Sequence, residues 1–384
     1  MIICDKKDCT GCFVCMNVCA KQAISVQIDE YGKTVPCIDE QKCIECGACA
    51  KVCPVNHKTE FRMLHTAIAA WSKNQEDFLE SSSGGVAAAF AREVIKKGGT
   101  VYGSAAMDRE VKHIRIEQEE DIQLLRGSKY VQSYTGIIYQ EVKKDLRAGK
   151  PVLFTGVPCQ IAGLKNYLWT DYDNLITVDL ICHGTPPFQY LREHIDSKVK
   201  GTWDSVSFRG KRDWFLNAYR NGEVCYSQKR ECDTYFTAFL KGLTYRDNCY
   251  SCVYAQPKRC SDITIGDFWG IDRSTMKNPY NGRISLVLPN TEKGTQFWKM
   301  CADCFVWEER TVEEAMNPAQ GNLLNPSVPH EDRKGFIEMY PQNGFERAIN
   351  ATNIGKNVSR DRIKNCIKKN RFARLLGKAK KVLK

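Results

Sequence analysis

The sequence contains no run of eighteen or more apolar residues, so no segment reads as a membrane-spanning helix. Its first residues show no charged stretch followed by an apolar core, and a soluble, cytoplasmic protein is expected. No G-x-G-x-x-G is present to mark a Rossmann dinucleotide site, and no G-x-x-x-x-G-K-[ST] to mark a P-loop ATPase. No Cys-x3-Cys-x2-Cys is present, which disfavours radical S-adenosylmethionine chemistry. Negative charge is also in short supply: 56 Lys and Arg face 45 Asp and Glu, a net +11. From Arg360 to Lys384, however, eleven basic residues stand against one Asp, and 11 − 1 = +10 places nearly all the excess in the tail. The body is close to neutral, and no nucleic-acid partner is expected. Ile363, Ile367, Phe372, Leu375, Leu376 and Val382 recur in the tail at roughly helical spacing. Such a segment suits peripheral contact with an anionic membrane or a partner, or equally a solvated terminal helix.

What the chain has in abundance is cysteine, 20 in 384 residues. Cys9, Cys12, Cys15 and Cys19 form a Cys-x2-Cys-x2-Cys-x3-Cys run, repeated 34 residues later by Cys43, Cys46, Cys49 and Cys53. Thiolates are soft ligands, and two tandem runs with these gaps suit a pair of [4Fe–4S] clusters better than zinc or disulfides. In this arrangement the fourth cysteine of each run crosses to the other cluster. Cys9, Cys12, Cys15 and Cys53 are therefore assigned to a first cluster, and Cys43, Cys46, Cys49 and Cys19 to a second. Pro54 follows the second run as bacterial ferredoxins require, whereas Ala20 replaces the proline of the first. Cys4 and Cys37 are read as small buried hydrophobes.

At this length a small cluster domain plus one large or two medium domains is expected. The chain changes character at a polar link, His57 to Arg62, and then alternates helical and strand patterns. Val86 to Lys97 reads as a helix stopped by Gly98-Gly99, and Thr100 to Gly103 as a strand. Ile137 to Leu146 reads as a helix, Pro151 to Thr155 as a buried strand, Gln160 to Leu168 as a helix and Leu175 to Cys182 as a second buried strand. This order predicts an α/β region with parallel pairing. Trp203 to Ser227 reads as β-hairpins, and Asp262 to Ile271 as a strand leading to a turn. The fold class is thus α+β or α/β, a bacterial-ferredoxin-like domain followed by a mixed α/β domain.

Ser81 to Gly85 precedes a helix, where backbone N–H groups and the helix dipole admit a phosphate, although an ordinary serine N-cap reads the same way. Arg126 to Tyr130 offers a cation, an aromatic face and a glycine turn. A second set of cysteines lies at strand ends: Cys159, Cys182 and the pair Cys249-x2-Cys252. If the two strands are neighbours, these four make a third tetrathiolate site. Cys249-x2-Cys252-x7-Cys260 is a competing metal pattern, and spacing leaves both open. Cys301-x2-Cys304 sits in a helical stretch and, with Cys225, Cys232 and Cys366, is read as structural.

Ser83-Gly84-Gly85, Gly127 to Ser133, Gly156 to Gln160, Asp179 to Gly184 and Asp262 to Gly270 together resemble the coenzyme F420 hydrogenase/dehydrogenase beta-subunit family, with an N-terminal 2[4Fe–4S] ferredoxin-type domain. The resemblance extends to about residue 345. It implies an FAD- and iron–sulfur-dependent oxidoreductase that passes electrons between clusters, the flavin and a two-electron acceptor, either F420 or another organic substrate, the latter possible in polysaccharide synthesis. It also implies Cys159, Cys182, Cys249 and Cys252 as ligands of a third [4Fe–4S] cluster, and FAD near Ser83, Gly84, Gly85, Ser128, Lys129, Tyr130, Thr155, Gly156 and Gln160. Lys129 is the candidate to stabilise reduced flavin and His183 the candidate proton donor. The implied regions are 1–58 for the ferredoxin-like domain, 59–140 for the N-terminal part of the beta-subunit-like region, 141–345 for its C-terminal FAD- and [4Fe–4S]-binding part, and 346–384 for the basic tail. Ferredoxin or another redox protein, a small-molecule substrate and hydrogenase or dehydrogenase subunits are the implied partners. An electron-transfer subunit without its own substrate, and a zinc-bound interaction module, are the alternatives.

Overall fold

The structure, a computed structural model, describes residues 1–209, 213–278, 280 and 282–360. The basic tail beyond Arg360, with its expected membrane or partner contact, lies outside the described residues.

The 34-residue repeat is visible in the backbone. Helix Val14–Val18 is echoed by helix Ala48–Val52, and Phe13 and Gly47, again 34 apart, both enter their helices in the left-handed region. Between the helices, β1 (Ile24–Ile28) and β2 (Thr34–Ile38) form an antiparallel hairpin.

The rest is built on one eight-stranded sheet. Its strands are β3 (Ala67–Ser72), β4 (Thr100–Met107), β5 (Glu110–Ile116), β6 (Val152–Gly156) and β7 (Leu175–Leu180). A separate three-stranded sheet follows, with β8 (Ser205–Ser207), β9 (Phe215–Arg220) and β10 (Glu223–Lys229) in the order β10-β9-β8. The chain then returns to the large sheet with β11 (Ile263–Asp267), β12 (Ser285–Pro289) and β13 (Phe305–Arg310), which completes the order β13-β3-β12-β11-β7-β6-β4-β5. The four central strands, β4, β6, β7 and β11, are parallel, and the outer neighbours are antiparallel. The fold is therefore mixed α/β with a mixed sheet.

The expected strand–helix–strand unit is present: β6 leads into helix Pro158–Leu168 and then into β7, which pairs with β6 from Val152↔Leu175 to Gly156↔Asp179. Pro158 begins this helix where a missing N–H is harmless, and the Gln160 side chain accepts from the Val157 N–H at 3.1 Å. Helix Val86–Lys96 buries Val86, Ala88, Ala89, Phe90, Ala91 and Val94 against the sheet and stops at Gly98, φ +73°. Strands from 59–140 and from 141–345 share this one sheet, so residue 140 does not divide it.

The ferredoxin part is joined to the body by buried polar contacts. Thr135 Oγ1 donates to the Cys12 carbonyl at 2.9 Å, Gln132 Nε2 to that of Gly11 at 3.1 Å, and Asn166 Nδ2 to those of Val52 and His57 at 3.1 and 2.8 Å. Cys12, Val14 and Val52 also share a hydrophobic cluster with Tyr139, Ile161 and Leu164. No helix among the described residues is long and apolar enough to cross a membrane.

Candidate functional site

The cysteines fall into groups because of where the turns place them. Cys9, Cys12, Cys15 and Cys53 lie near enough to influence one another's ionisation. Burial pushes the Cys12 thiol up to about 12, and neighbouring Cys53 and Cys9 add to the rise. Cys15 is raised by burial and then by Cys12, Cys9 and Cys53. Cys49, in turn, is raised by burial and by Cys46 and Cys19, members of the second set. Cys46 is exposed. Cys4, half-buried, lies beside Cys53 and Cys9, and these neighbours raise its pKa. The same contact lowers Cys9 to about 6 against the opposing effect of burial, with Arg246 assisting, and lowers Cys53 to about 7.

A third group forms at the carboxyl ends of the central strands. Cys159 begins the helix after β6, and Cys182 follows β7, the parallel neighbour of β6. Cys249 and Cys252 come to the same recess on the turn after Arg246, and Thr10, Tyr254 and Arg259 complete its wall. Burial raises all four thiols, and Cys159 is raised further by Cys252, Cys182, Cys12 and Cys249 in turn. Cys12 in that series shows that the first and third groups adjoin. Gly163 explains how they approach: a Cβ there would come within 3.1 Å of the Cys12 sulfur. Cys260 points elsewhere, its thiol donating to the Pro158 carbonyl at 3.6 Å, and its pKa of about 12 reflects burial and then Asp179. Cys301 ends helix Glu292–Cys301 inside the sheet core.

Among the described residues, no three His, Cys, Asp or Glu side chains converge on a point that would hold a single metal ion. A lone zinc needs Zn–S distances of about 2.3 Å, so its sulfurs must nearly touch. Four cysteines brought to one recess offer the all-thiolate donor set that a [4Fe–4S] cubane takes. Beside the third group, Arg259 and Asp179 form an ion pair at 3.0 Å with 1% and 0% side-chain exposure.

Next to that group opens a cavity of about 520 Å³, within the range that holds a sizeable organic cofactor. It lies at the carboxyl edge of the parallel strands, where ligands bind in open α/β sheets. Thr10, from the loop of the first cysteine run, reaches its wall, as do Cys159 and Cys182. Ser83, Ser128, Lys129, Tyr130, Thr155, Gly156, Gln160 and His183 all line it. Gly84 and Gly85 do not. A Cβ on Gly84 would sit 2.4 Å from the Ala70 carbonyl, and one on Gly85 2.7 Å from that of Asp77, so these glycines let the serine loop pass behind the wall. The loop is held by Ser128 N–H donating to Ser82 Oγ at 2.6 Å and Ser83 Oγ donating to the Ile284 carbonyl at 3.2 Å.

Lys129 donates to the Leu125 and Arg126 carbonyls at 3.0 and 2.9 Å, and burial lowers its pKa to about 7. His183 is lowered by burial, with Asp267 opposing. Gln160 is 3% exposed, and its amide bonds to the Ser133 carbonyl at 2.9 Å as well as to Val157, which makes it a brace for the wall.

Other lining groups gave little signal in the sequence. His113 stacks on Phe154, its rings 5.3 Å apart, and burial lowers its pKa to about 4. Because the Thr155 carbonyl at 3.0 Å can only accept, Nε2 carries the proton and Nδ1 accepts from the Ser133 hydroxyl at 2.9 Å. Arg209 lies 4.0 Å over the Trp214 ring, donates to Tyr130 Oη at 2.8 Å and pairs with Asp267 at 2.7 Å. These partners come from four separate stretches, and no local spacing announces them.

Residues 8–57 match the family model described as a 4Fe-4S dicluster domain, and residues 149–315 match the model for the C terminus of the Coenzyme F420 hydrogenase/dehydrogenase beta subunit. Residues 149–315 belong to the C-terminal region of the coenzyme F420 hydrogenase/dehydrogenase beta-subunit family, preceded by a 4Fe-4S dicluster domain. Its dicluster part is similar to the protein named Putative ferredoxin-3 of Sinorhizobium fredii (strain NBRC 101917 / NGR234), at 33% identity over 14% of this chain and 71% of that one. A chain in the solved F420-reducing [NiFe] hydrogenase complex from Methanosarcina barkeri is 19% identical, with a TM-score of 0.47, covering 68% of this chain and 89% of the other.

Proposed function

We propose that this chain is an iron–sulfur flavoprotein oxidoreductase that exchanges electrons with an external redox protein and delivers them in pairs to an organic acceptor, F420 or another small molecule. The observation that carries this reading is that Cys159 and Cys182 of the third group stand at the wall of one large cavity, with the first group adjoining them and its Thr10 reaching the same wall. [4Fe–4S] clusters held by the three groups would supply one-electron chemistry, and FAD in the cavity would join it to two-electron chemistry.

The chain's own residues serve that purpose in distinct ways. Cys9, Cys12, Cys15 and Cys53 would hold the inner ferredoxin cluster, Cys43, Cys46, Cys49 and Cys19 the outer one, and Cys159, Cys182, Cys249 and Cys252 the third. The serine loop and Ser128 offer polar groups suited to the phosphates of FAD. Lys129, whose ammonium is bonded to carbonyls and not to a carboxylate, is suited to balance negative charge that arrives in the cavity. Thr155, Gly156 and Gln160 shape the wall. His183, beside Cys182 and exposed to the cavity, is suited to hold a proton for a substrate.

Anaerobic purification and reconstitution of the full chain tests the reading. About twelve irons with matching sulfide, together with retained FAD, are expected. Bleaching of F420 by the chain alone with a reduced dye identifies that substrate; iron and flavin without turnover of any offered acceptor would indicate a subunit that only relays electrons. Absence of both sulfide and flavin would refute the proposal.

A further inference from the structure

Arg246 is 1% exposed, yet among the described residues its guanidinium pairs with no carboxylate. Its Nη1 donates to the Thr34 carbonyl at 3.2 Å and to Gln132 Oε1 at 3.1 Å, and Nη2 donates to the Cys9 carbonyl at 3.1 Å. Nε is buried without a hydrogen-bond partner. The adjacent carboxylate, Asp247, is taken by Lys33 and by Arg333, the latter at 2.6 Å. A buried cation is costly unless negative charge faces it, and with no carboxylate at hand that charge has to come from another group nearby.

The surroundings show where it belongs. Gly11, in the loop between Cys9 and Cys12, is held at φ +66°, and a Cβ there would lie 3.2 Å from the Arg246 guanidinium carbon. The first cysteine run is thus laid directly on this side chain. On the other side, the Arg246 N–H donates to the Thr185 carbonyl at 3.1 Å, and its carbonyl accepts from the Cys249 N–H at 3.0 Å. Arg246 stands between the first and third thiolate groups. Four thiolates outweigh the positive charge of a [4Fe–4S] core, and reduction adds a further negative charge. A fixed cation beside such a centre favours its reduced form and raises its potential.

Resting on the cluster reading given above, we infer that Arg246 is the built-in counter-charge of the cluster held by Cys9, Cys12, Cys15 and Cys53, and to a lesser extent of the third cluster. It is a positioning residue that sets potential at the junction between the ferredoxin part and the cavity. Gln132, which binds both Arg246 and the Gly11 carbonyl, fixes its orientation.

Wild type, Arg246→Gln and Arg246→Lys, each as the full chain reconstituted without oxygen, are compared for iron and sulfide and by potentiometric titration followed by electron paramagnetic resonance. The second-cluster signal is identified by its disappearance in Cys46→Ser. In Arg246→Gln the first-cluster potential is expected to move to more negative values, the third in the same direction by less, and the second not at all; in Arg246→Lys most of the wild-type potential is retained. A first-cluster potential unchanged in Arg246→Gln overturns the inference. Should Arg246→Gln lose that cluster, Arg246→Lys decides: the cluster retained near its wild-type potential supports a role for charge, and equal loss overturns it. Wild-type protein without iron or sulfide would instead refute the underlying cluster reading, a result distinct from either.

Discussion

Cys260 and Cys249 have comparable claims to a metal when judged by spacing, but opposite surroundings. Cys260 gives its thiol to a backbone carbonyl, while Cys249 joins a recess walled by three other cysteines. Cys260→Ser is therefore expected to leave the iron content of the reconstituted protein unchanged, and Cys249→Ser to remove about four irons per chain; chemical iron analysis checks both. The two tandem runs, by contrast, were legible in the cysteines themselves, because a cluster imposes fixed gaps on the turn that grips it. Cys4 was not legible, since its approach to Cys9 and Cys53 depends on the path of the chain before the run. Arg209, His113 and Arg246 escaped for a related reason: each gains its meaning from residues many positions away, and a lone Arg or His carries no spacing.

Among the secondary-structure elements, the strands and helices that form the cavity edge were readable, because β6 and β7 are short β-branched or apolar runs bounded by glycine, proline or polar residues. Strand β3 was not, since Ala67, Ala69 and Ala70 favour helix in isolation; the small residues fit between β12 and β13, where tertiary packing decides. Three helical segments are tied together by buried His194 of helix Phe188–Lys198. His194 Nε2 meets Asp233, the N-cap of helix Thr234–Leu240, at 2.9 Å, and Nδ1 meets Glu346 of the segment Arg333–Ala351 at 2.6 Å. Burial alone would lower the His194 pKa, but the two carboxylates raise it above the ordinary value, and Asp233 is lowered in spite of its own burial. A raised histidine pKa adds stability that is complete below the unfolded value of about 6.5 and fades as pH climbs through the folded value. The Asp233 contribution is present above about 3.9 and fades as pH falls through its depressed value. His194→Gln is expected to cost about 3 kcal/mol near pH 6, the scale for breaking a buried pair, and clearly less near pH 9. Denaturant unfolding at the two pH values measures the difference.

For the molecule as a whole, the sequence separated a ferredoxin-like part from the rest at a polar link, and composition supports that division. What composition does not reveal is how firmly the parts are joined. Asn166, Thr135 and Gln132 bind backbone carbonyls of the ferredoxin part from the body, and Cys12 shares its apolar surroundings with helix Pro158–Leu168. Separating the two would strand buried donors and carbonyls at a cost of about 1–3 kcal/mol each. Tethered carriers, by contrast, reach their acceptor by swinging through solvent, and thickening that solvent slows them. A carrier bolted in place has no such journey to make, so glycerol should leave the internal transfer rate of the loaded chain, followed by stopped-flow absorbance, essentially unaltered, while slowing its encounters with outside donors.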